Sequence, residues 1–141
     1  MKKVLSLTAI TFALVAFMLT SCKKYPENDG MAFSSAKSRL CRTWNVDKVI
    51  ENGIEYDAAT AGMANQSIAY NRDGTFTASE GGISFNGTWE FGSKKETLVI
   101  TITFFGMSAS ESIEILKLTK EELWAKITDG ADTEEVHYVA S

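Results

Sequence analysis

Hydrophobic side chains recur at every second position through much of the chain after residue 43, and this pattern constrains the fold more than any other feature. It is clearest in residues 83–91, where the sequence ISFNGTWEF alternates apolar and polar side chains. Successive side chains of a strand point to opposite faces, so the segment is predicted to be a strand with one buried face. Because the alternation passes through Gly87 unbroken, a continuous strand is favoured over a hairpin turn at Asn86-Gly87.

Residues typical of tight turns separate the other alternating segments. Asn52-Gly53, residues 71–74 and Asp129-Gly130 are hairpin-turn sequences. The alternation changes phase near Ile115-Leu116, which predicts a β-bulge there. About eight short strands are joined in this way. The organisation predicts an all-β fold, a single antiparallel up-and-down barrel, with a β-sandwich as the alternative.

The N-terminal part of this region has three distinguishable segments. Residues 34–40, SSAKSRL, begin with serines that suit a helix N-cap and predict one short helix. The first alternating segment follows and groups Trp44, Val46 and Ile50 on one face. Residues 57–65, DAATAGMAN, have no regular period and predict a lid-like loop or a short helix.

The first 21 residues have the organisation of an export signal. Lys2 and Lys3 precede a run of 16 uncharged residues at positions 4–19. A membrane-spanning helix needs about 20 apolar residues, so this run is better explained as the hydrophobic region of a signal peptide. It ends in the sequence LTSC at residues 19–22, which resembles the lipobox of bacterial lipoproteins. The resemblance implies cleavage before Cys22 and acylation of that residue.

The chain is therefore predicted to have three parts. Residues 1–21 are the lipoprotein signal peptide, residues 22–34 are the lipidated Cys22 and a flexible tether, and residues 35–141 are the β-barrel domain. Acyl chains stabilise membrane attachment by about 0.8 kcal/mol for each buried methylene. The predicted location is the cell envelope, lipid-anchored in the outer membrane at its periplasmic face or at the cell surface.

Charge and cysteine content exclude several classes of partner. The net charge is −4, and loss of Lys2 and Lys3 with the signal peptide makes it −6. Nucleic-acid binding needs basic surfaces, so it is not expected, and the same charge argues against attraction to anionic lipid. With Cys22 acylated, Cys41 has no partner for an intrachain disulfide. Cys41 is interpreted either as a small buried hydrophobe or as an exposed thiol that pairs between chains.

Four short motifs resemble those of small bacterial lipocalin-like domains. Residues 40–44, LCRTW, resemble the L-x-G-x-W opening, with Arg42 in place of the glycine. Residues 73–76, DGTF, residues 87–89, GTW, and residues 118–123, LTKEEL, resemble later landmarks in the same order. The resemblance implies an eight-stranded antiparallel barrel with a short N-terminal helix near one end. It implies no particular ligand.

The sequence offers no catalytic constellation, and the protein is predicted not to be an enzyme. His137 is the only histidine, and its parity is opposite to that of Val136 and Tyr138, so it is expected to point outward. One histidine and one free cysteine make a zinc site improbable on ligand number alone, and the acidic cluster from Asp129 to Glu135 is interpreted as a solvated turn. No metal and no cofactor are predicted.

The aromatic residues with inward parity are the candidate ligand-lining residues. An eight-stranded barrel has room either for packed side chains or for one small ligand. The candidates are Trp44, Tyr70, Phe76, Phe85, Trp89 and Phe104. The predicted function is non-enzymatic binding of a small apolar or amphipathic ligand. The alternative is an accessory subunit of an envelope protein complex with a filled barrel, in which outward-facing Phe105 and Trp124 contact a protein partner.

Overall fold

A computed structural model describes residues 25–26 and 34–141 of the chain. Cys22, the predicted signal peptide and most of the predicted tether lie outside this part. One short helix, α1 (Ala36–Leu40), precedes the strands, and a 3₁₀ turn (Ser93–Lys95) interrupts them. The strands are β1 (Thr43–Glu51), β2 (Ile54–Asp57), β3 (Ser67–Tyr70), β4 (Thr75–Glu80), β5 (Ile83–Phe91), β6 (Thr97–Phe104), β7 (Met107–Leu118), β8 (Glu122–Asp129) and β9 (Asp132–Ala140).

The strands form one antiparallel sheet that closes on itself. Its order is β2-β1-β3-β4-β5-β6-β7-β8-β9, and β9 also pairs with β1. Eight strands therefore close the barrel, while β2 is an extra strand in a hairpin with the second half of β1. The predicted all-β meander barrel is confirmed. Closure pairs both edges of the sheet, which leaves no long unpaired edge in the barrel wall.

Local sequence signals account for most element boundaries. Ser35 is the N-cap of α1, where its hydroxyl accepts a hydrogen bond from the Ser38 amide. Asn52 and Gly53 both have positive φ and turn β1 into β2. The register of β7 against β8 shifts between Ile115 and Lys117, so the predicted bulge is confirmed, and β5 is continuous through Gly87.

A second bulge, in β1, corrects one sequence expectation. The register of β1 against β9 shifts between Val46 and Lys48. The extra residue, Asp47, reverses the parity of the rest of the strand. Val49, rather than Ile50, therefore joins Trp44 and Val46 among the buried side chains.

The two ends of the barrel differ. At the closed end, α1 and the connections 71–74, 92–96 and 119–121 surround the main core. At the open end lie the β4–β5, β6–β7 and β8–β9 hairpins. Residues 58–66 form turns rather than a helix, and Ala61 and Met63 pack against a small cluster of inward valines. This position fits the lid-like loop of the two alternatives. Within the described ranges, no helix is long and apolar enough to cross a membrane.

Tyr25 belongs to the closed end. The sequence prediction assigned it to the flexible tether, yet its side chain has 0% exposure and is part of the main core. Its hydroxyl donates a hydrogen bond to the Lys95 carbonyl oxygen at 3.0 Å, and the Arg39 guanidinium lies 5.9 Å from its ring centroid. Burial raises the pKa of the phenol, partly offset by Arg39. The folded unit therefore includes at least this residue from before position 35.

Candidate ligand site at the open end of the barrel

The closed half of the interior is filled by aromatic side chains. Trp44 is fully buried, and its indole Nε1–H donates to the Leu40 carbonyl oxygen at 2.9 Å. The Trp89 indole likewise donates to the Asn71 carbonyl oxygen at 3.0 Å, and Tyr70 meets its ring edge-on at 5.9 Å. Buried indoles need such partners because a bare N–H in the core is costly. Buried side chains therefore fill the centre of this half of the barrel.

Gly87 shapes this packing. It lies opposite Phe76 in the β4–β5 register. A Cβ at this position would be 2.5 Å from the nearest atom of the Phe76 ring and 2.4 Å from the Thr101 carbonyl oxygen. Because Gly87 has no side chain, the Phe76 ring can pack directly against the backbone of β5.

The open half contains a cavity between β1, β3, β4, β5 and β9. Its volume is about 120 Å³. The lining residues with side chains directed inward are Val46, Ile68, Ala78, Phe85 and Tyr138. Sites that enclose a whole small ligand are typically 300–1,000 Å³, so this cavity has room for only part of one.

Tyr138 lines this cavity, and Tyr70 lies near it in the packed core. Burial raises the pKa of Tyr138 to about 12, with a further contribution from Glu134. Burial also raises the pKa of Tyr70, and the nearby Tyr138 adds to the effect. Both phenols are therefore neutral at physiological pH, and the Tyr138 hydroxyl can donate a hydrogen bond to a ligand acceptor in the cavity.

Beyond the cavity, apolar side chains on the inner face of β5, β6 and β7 are uncovered. Their exposed fractions range from 37% for Ile102 to 74% for Met107. The set comprises Ile83, Phe85, Ile102, Phe104 and Met107. Large apolar side chains on the concave side of a sheet are normally buried, so this face is a candidate contact surface.

The β6–β7 hairpin ends in an exposed aromatic pair. Phe105 is 88% exposed, and its ring centroid lies 4.4 Å from that of Phe104. Its φ is +49°, a left-handed conformation that is rare for a bulky residue. Asn, Asp or Gly would form this turn at lower cost, so nothing in the local backbone explains the choice of phenylalanine.

The rim of the open end is acidic. A second cavity, of about 240 Å³, is lined by Glu51, Asp129, Asp132 and Glu134 together with three other residues. Within the described part of the chain, no group of three or more His, Cys, Asp or Glu is arranged to hold a metal ion. The rim instead gives the mouth a negative field that disfavours anionic ligands.

Trp124 and His137 lie together on the outer wall. They are paired across β8 and β9, and their rings stack at 3.9 Å with an interplanar angle of 5°. Glu135 contacts His137 Nε2, while Nδ1 of His137 has no hydrogen-bond partner among the described residues. Both residues alternate with the inward-facing Leu123 and Tyr138, as their parity predicts, but His137 is 5% exposed and Trp124 is partly covered by its neighbours. Of the two outward aromatics, only Phe105 is fully available to a partner.

The six candidate lining residues divide between the two halves. Trp44, Tyr70, Phe76 and Trp89 belong to the packed core of the closed end. Phe85 lines the cavity, and Phe104 lies on the exposed inner face beyond it. Ile68, Ala78 and Tyr138 also line the cavity and were not among the six candidates. The alternation of apolar and polar residues predicts that Ile68 and Tyr138 point inward. It does not show how far along the barrel axis they lie.

A meander of eight strands, plugged at one end by a short helix and open at the other, is the architecture of lipocalin-like proteins. The fold is similar to that of a lipocalin-like protein from Bacteroides uniformis, with a TM-score of 0.56 and 12% identity over 73% of this chain and 99% of that one. It is also similar to a DUF4847 family protein from Bacteroides vulgatus, with a TM-score of 0.54 and 15% identity over 73% of this chain and 94% of that one. No family model and no curated protein matches the sequence.

Proposed function

We propose that this chain is an exported lipoprotein, anchored through Cys22, whose barrel binds a small apolar or amphipathic ligand at its open end. One observation supports the ligand proposal: the two halves of the barrel interior differ in how completely their apolar side chains are buried. The closed half is packed with buried rings, while the open half leaves apolar side chains uncovered beside a cavity. A barrel with a purely structural interior gains stability by covering those side chains.

The geometry favours an elongated ligand with an uncharged polar group. The cavity holds one end, where a hydroxyl or amide oxygen accepts a hydrogen bond from Tyr138. The rest extends along Phe85, Ile102 and Phe104 towards the β6–β7 hairpin. The acidic rim disfavours a carboxylate or phosphate on the ligand.

A long-chain alcohol is a suitable probe of this site. We expect 1-dodecanol to displace the uncharged fluorophore N-phenyl-1-naphthylamine from the purified protein. Ala78→Leu fills the cavity and is expected to weaken binding about tenfold or more, because a steric block outweighs the added apolar contact. Native mass spectrometry of protein taken from the cell envelope would show whether a ligand is retained.

The hydroxyl of Tyr138 provides a sharper test. Tyr138→Phe keeps the ring and removes one donor, so dodecanol affinity is expected to fall by about 2- to 10-fold. Tyr56→Phe is the matched control, because Tyr56 lies in β2 outside the closed barrel. Equal affinities for wild type, Ala78→Leu and Tyr138→Phe would refute a site at the open end.

The anchor is supported by the order of the signal features that end at Cys22. Acylation predicts that the intact mass of the purified protein exceeds that of the chain from residue 22 by the mass of its acyl groups. Cys22→Ser is expected to release the protein from the membrane fraction. Retention of this variant in the membrane would contradict the lipoprotein proposal and leave the ligand proposal standing.

A second candidate function is that of an accessory subunit of an envelope complex. The observation that favours it is the exposed Phe104–Phe105 pair, whose backbone conformation is unfavourable for phenylalanine. Strained, exposed residues of this kind are often retained for function. Cross-linking in the native envelope should then capture a specific protein with wild type and lose it with Phe105→Asn, which relieves the turn. Identical cross-links for the two proteins would exclude this role for the hairpin.

A further inference from the structure

We propose that the closed end of the barrel docks on the anionic lipid surface that carries the anchor, so that the open end faces away from the bilayer. The inference rests on the anchor in the proposed function, but not on any ligand. It concerns the outer surface of the closed end, which we call the basic end: the exposed surface of α1 and of the connections 71–74, 92–96 and 119–121.

The position of Tyr25 places the anchor next to the basic end. Its ring is fully buried there, and its hydroxyl donates a hydrogen bond to the carbonyl oxygen of Lys95, in the connection between β5 and β6. Cys22 precedes Tyr25 by three residues, which span at most about 11 Å when fully extended. The acyl chains therefore start within that distance of the basic end. A free tether of eleven or more residues would have allowed any face of the barrel to approach the membrane.

Exposed cations are concentrated at the same end. The exposed basic residues of this surface are Lys37, Arg72, Lys94, Lys95 and Lys120, and the exposed acidic ones are Asp73, Glu96 and Glu121. Lys23 and Lys24 follow Cys22 directly in sequence. Arg42 is engaged with the carbonyl oxygens of Arg39 and Lys120, so it helps to hold these segments together. The basic end, as defined, therefore has five exposed cations and three exposed carboxylates, with Glu90 and Glu114 on the adjoining barrel wall, in a protein that is acidic overall.

The opposite end has the opposite sign. Its exposed carboxylates are Glu51, Glu80, Asp129 and Asp132. An anionic leaflet attracts basic groups near its surface and repels acidic ones, and the effect falls off within a Debye length of about 10 Å. Both ends of the molecule thus favour the same orientation. The net charge of the whole protein predicted no attraction to anionic lipid. That total adds the charges of the basic end and the open end, which cannot both face the membrane at once.

The exposed aromatic and methionine side chains of the barrel do not lie at the basic end. The exposed Phe105 and Met107 belong to the open end, which the anchor holds farthest from the bilayer. In this orientation the mouth and the aromatic hairpin face the aqueous compartment. A ligand would then enter from solution rather than laterally from the bilayer.

Label positions at the two ends test this orientation on the acylated, full-length product. A fluorophore is attached at Ser93→Cys or at Ala131→Cys, both exposed, in a Cys41→Ala background. The protein is reconstituted into vesicles of phosphatidylcholine with or without phosphatidylglycerol, containing a lipid with a nitroxide on its headgroup. We expect strong quenching of the Ser93 label and little of the Ala131 label, with a larger difference when phosphatidylglycerol is present and a smaller one at high salt.

Neutralising the basic end should weaken the preference. Each basic residue near an anionic surface favours the docked orientation about fivefold, so Lys94→Gln/Lys95→Gln should lower the preference by about 25-fold. Lys48→Gln/Lys126→Gln is the matched control, since it removes the same charge from the barrel wall. Equal quenching of the two labels, no dependence on phosphatidylglycerol, or equal effects of both double variants would overturn the proposal. An intact mass without acyl groups would instead overturn the anchor itself, and with it this inference, while leaving ligand binding intact.

Discussion

Replacing Gly87 with alanine tests the packing of the closed half most directly. The added Cβ would lie 2.4 Å from the Thr101 carbonyl oxygen and 2.5 Å from the Phe76 ring. Contacts this short force either the β5–β6 ladder or the buried ring to move. Overpacking of a core costs typically 1–3 kcal/mol. Because one neighbour is backbone and the other is a buried ring, Gly87→Ala should fall in the upper part of that range, at about 3 kcal/mol in the free energy of unfolding.

The measurement is thermal and urea unfolding followed by circular dichroism. For a domain of this size, a loss of 3 kcal/mol corresponds to a fall in Tm of about 10 °C. Gly130→Ala is the control, because a Cβ there meets nothing within 4 Å although φ is +60°. Its cost is that of a left-handed alanine alone, about 1 kcal/mol. If Gly87→Ala costs no more than Gly130→Ala, the Phe76 ring does not occupy the place described.

Three further predictions concern the core and its tyrosines. Tyr25→Ala should lower the free energy of unfolding by about 3 kcal/mol, as removal of a buried ring does, and an unchanged urea midpoint would show that Tyr25 does not belong to the core. Trp44→Phe removes one of the two hydrogen bonds to the Leu40 carbonyl oxygen, which keeps the Arg42 amide, and leaves space in the core, so it should cost about 1–3 kcal/mol in the same assay, whereas Trp124→Phe should cost less. Because burial raises the folded-state pKa of Tyr138 from 10.0 to about 12, its contribution to stability is complete below pH 10 and is lost as the pH rises towards 12. Ultraviolet titration of phenolate should show this late ionisation in wild type and its loss in Tyr138→Phe.

Much of the fold follows from local sequence. Alternation across residues 83–91 identifies β5, and the Asn52-Gly53 pair sets the first hairpin. The phase change at Ile115-Leu116 locates a bulge. Each signal depends on the conformational preferences of a few neighbouring residues, so it can be found without knowledge of the rest of the chain.

The bulge at Asp47 was missed because nothing in its own segment requires it. Val49 and Ile50 are both apolar, and either could have continued the inward face of β1. The pairing of β1 with β9, from the far end of the chain, selects Val49. The same limit applies to Tyr25, whose tether-like surroundings give no sign of the core position that it reaches beside Lys95.

The sequence by itself determined the inward face of most strands and how the chain turns, and it predicts where an export signal ends. The tertiary structure alone decided which inward rings fill the barrel, which border a cavity, and which charges share an end. A period of two gives the face of a sheet on which a side chain lies, but not its height along the barrel axis. That height is set by the stagger of eight strands at closure, which is a property of the whole sheet.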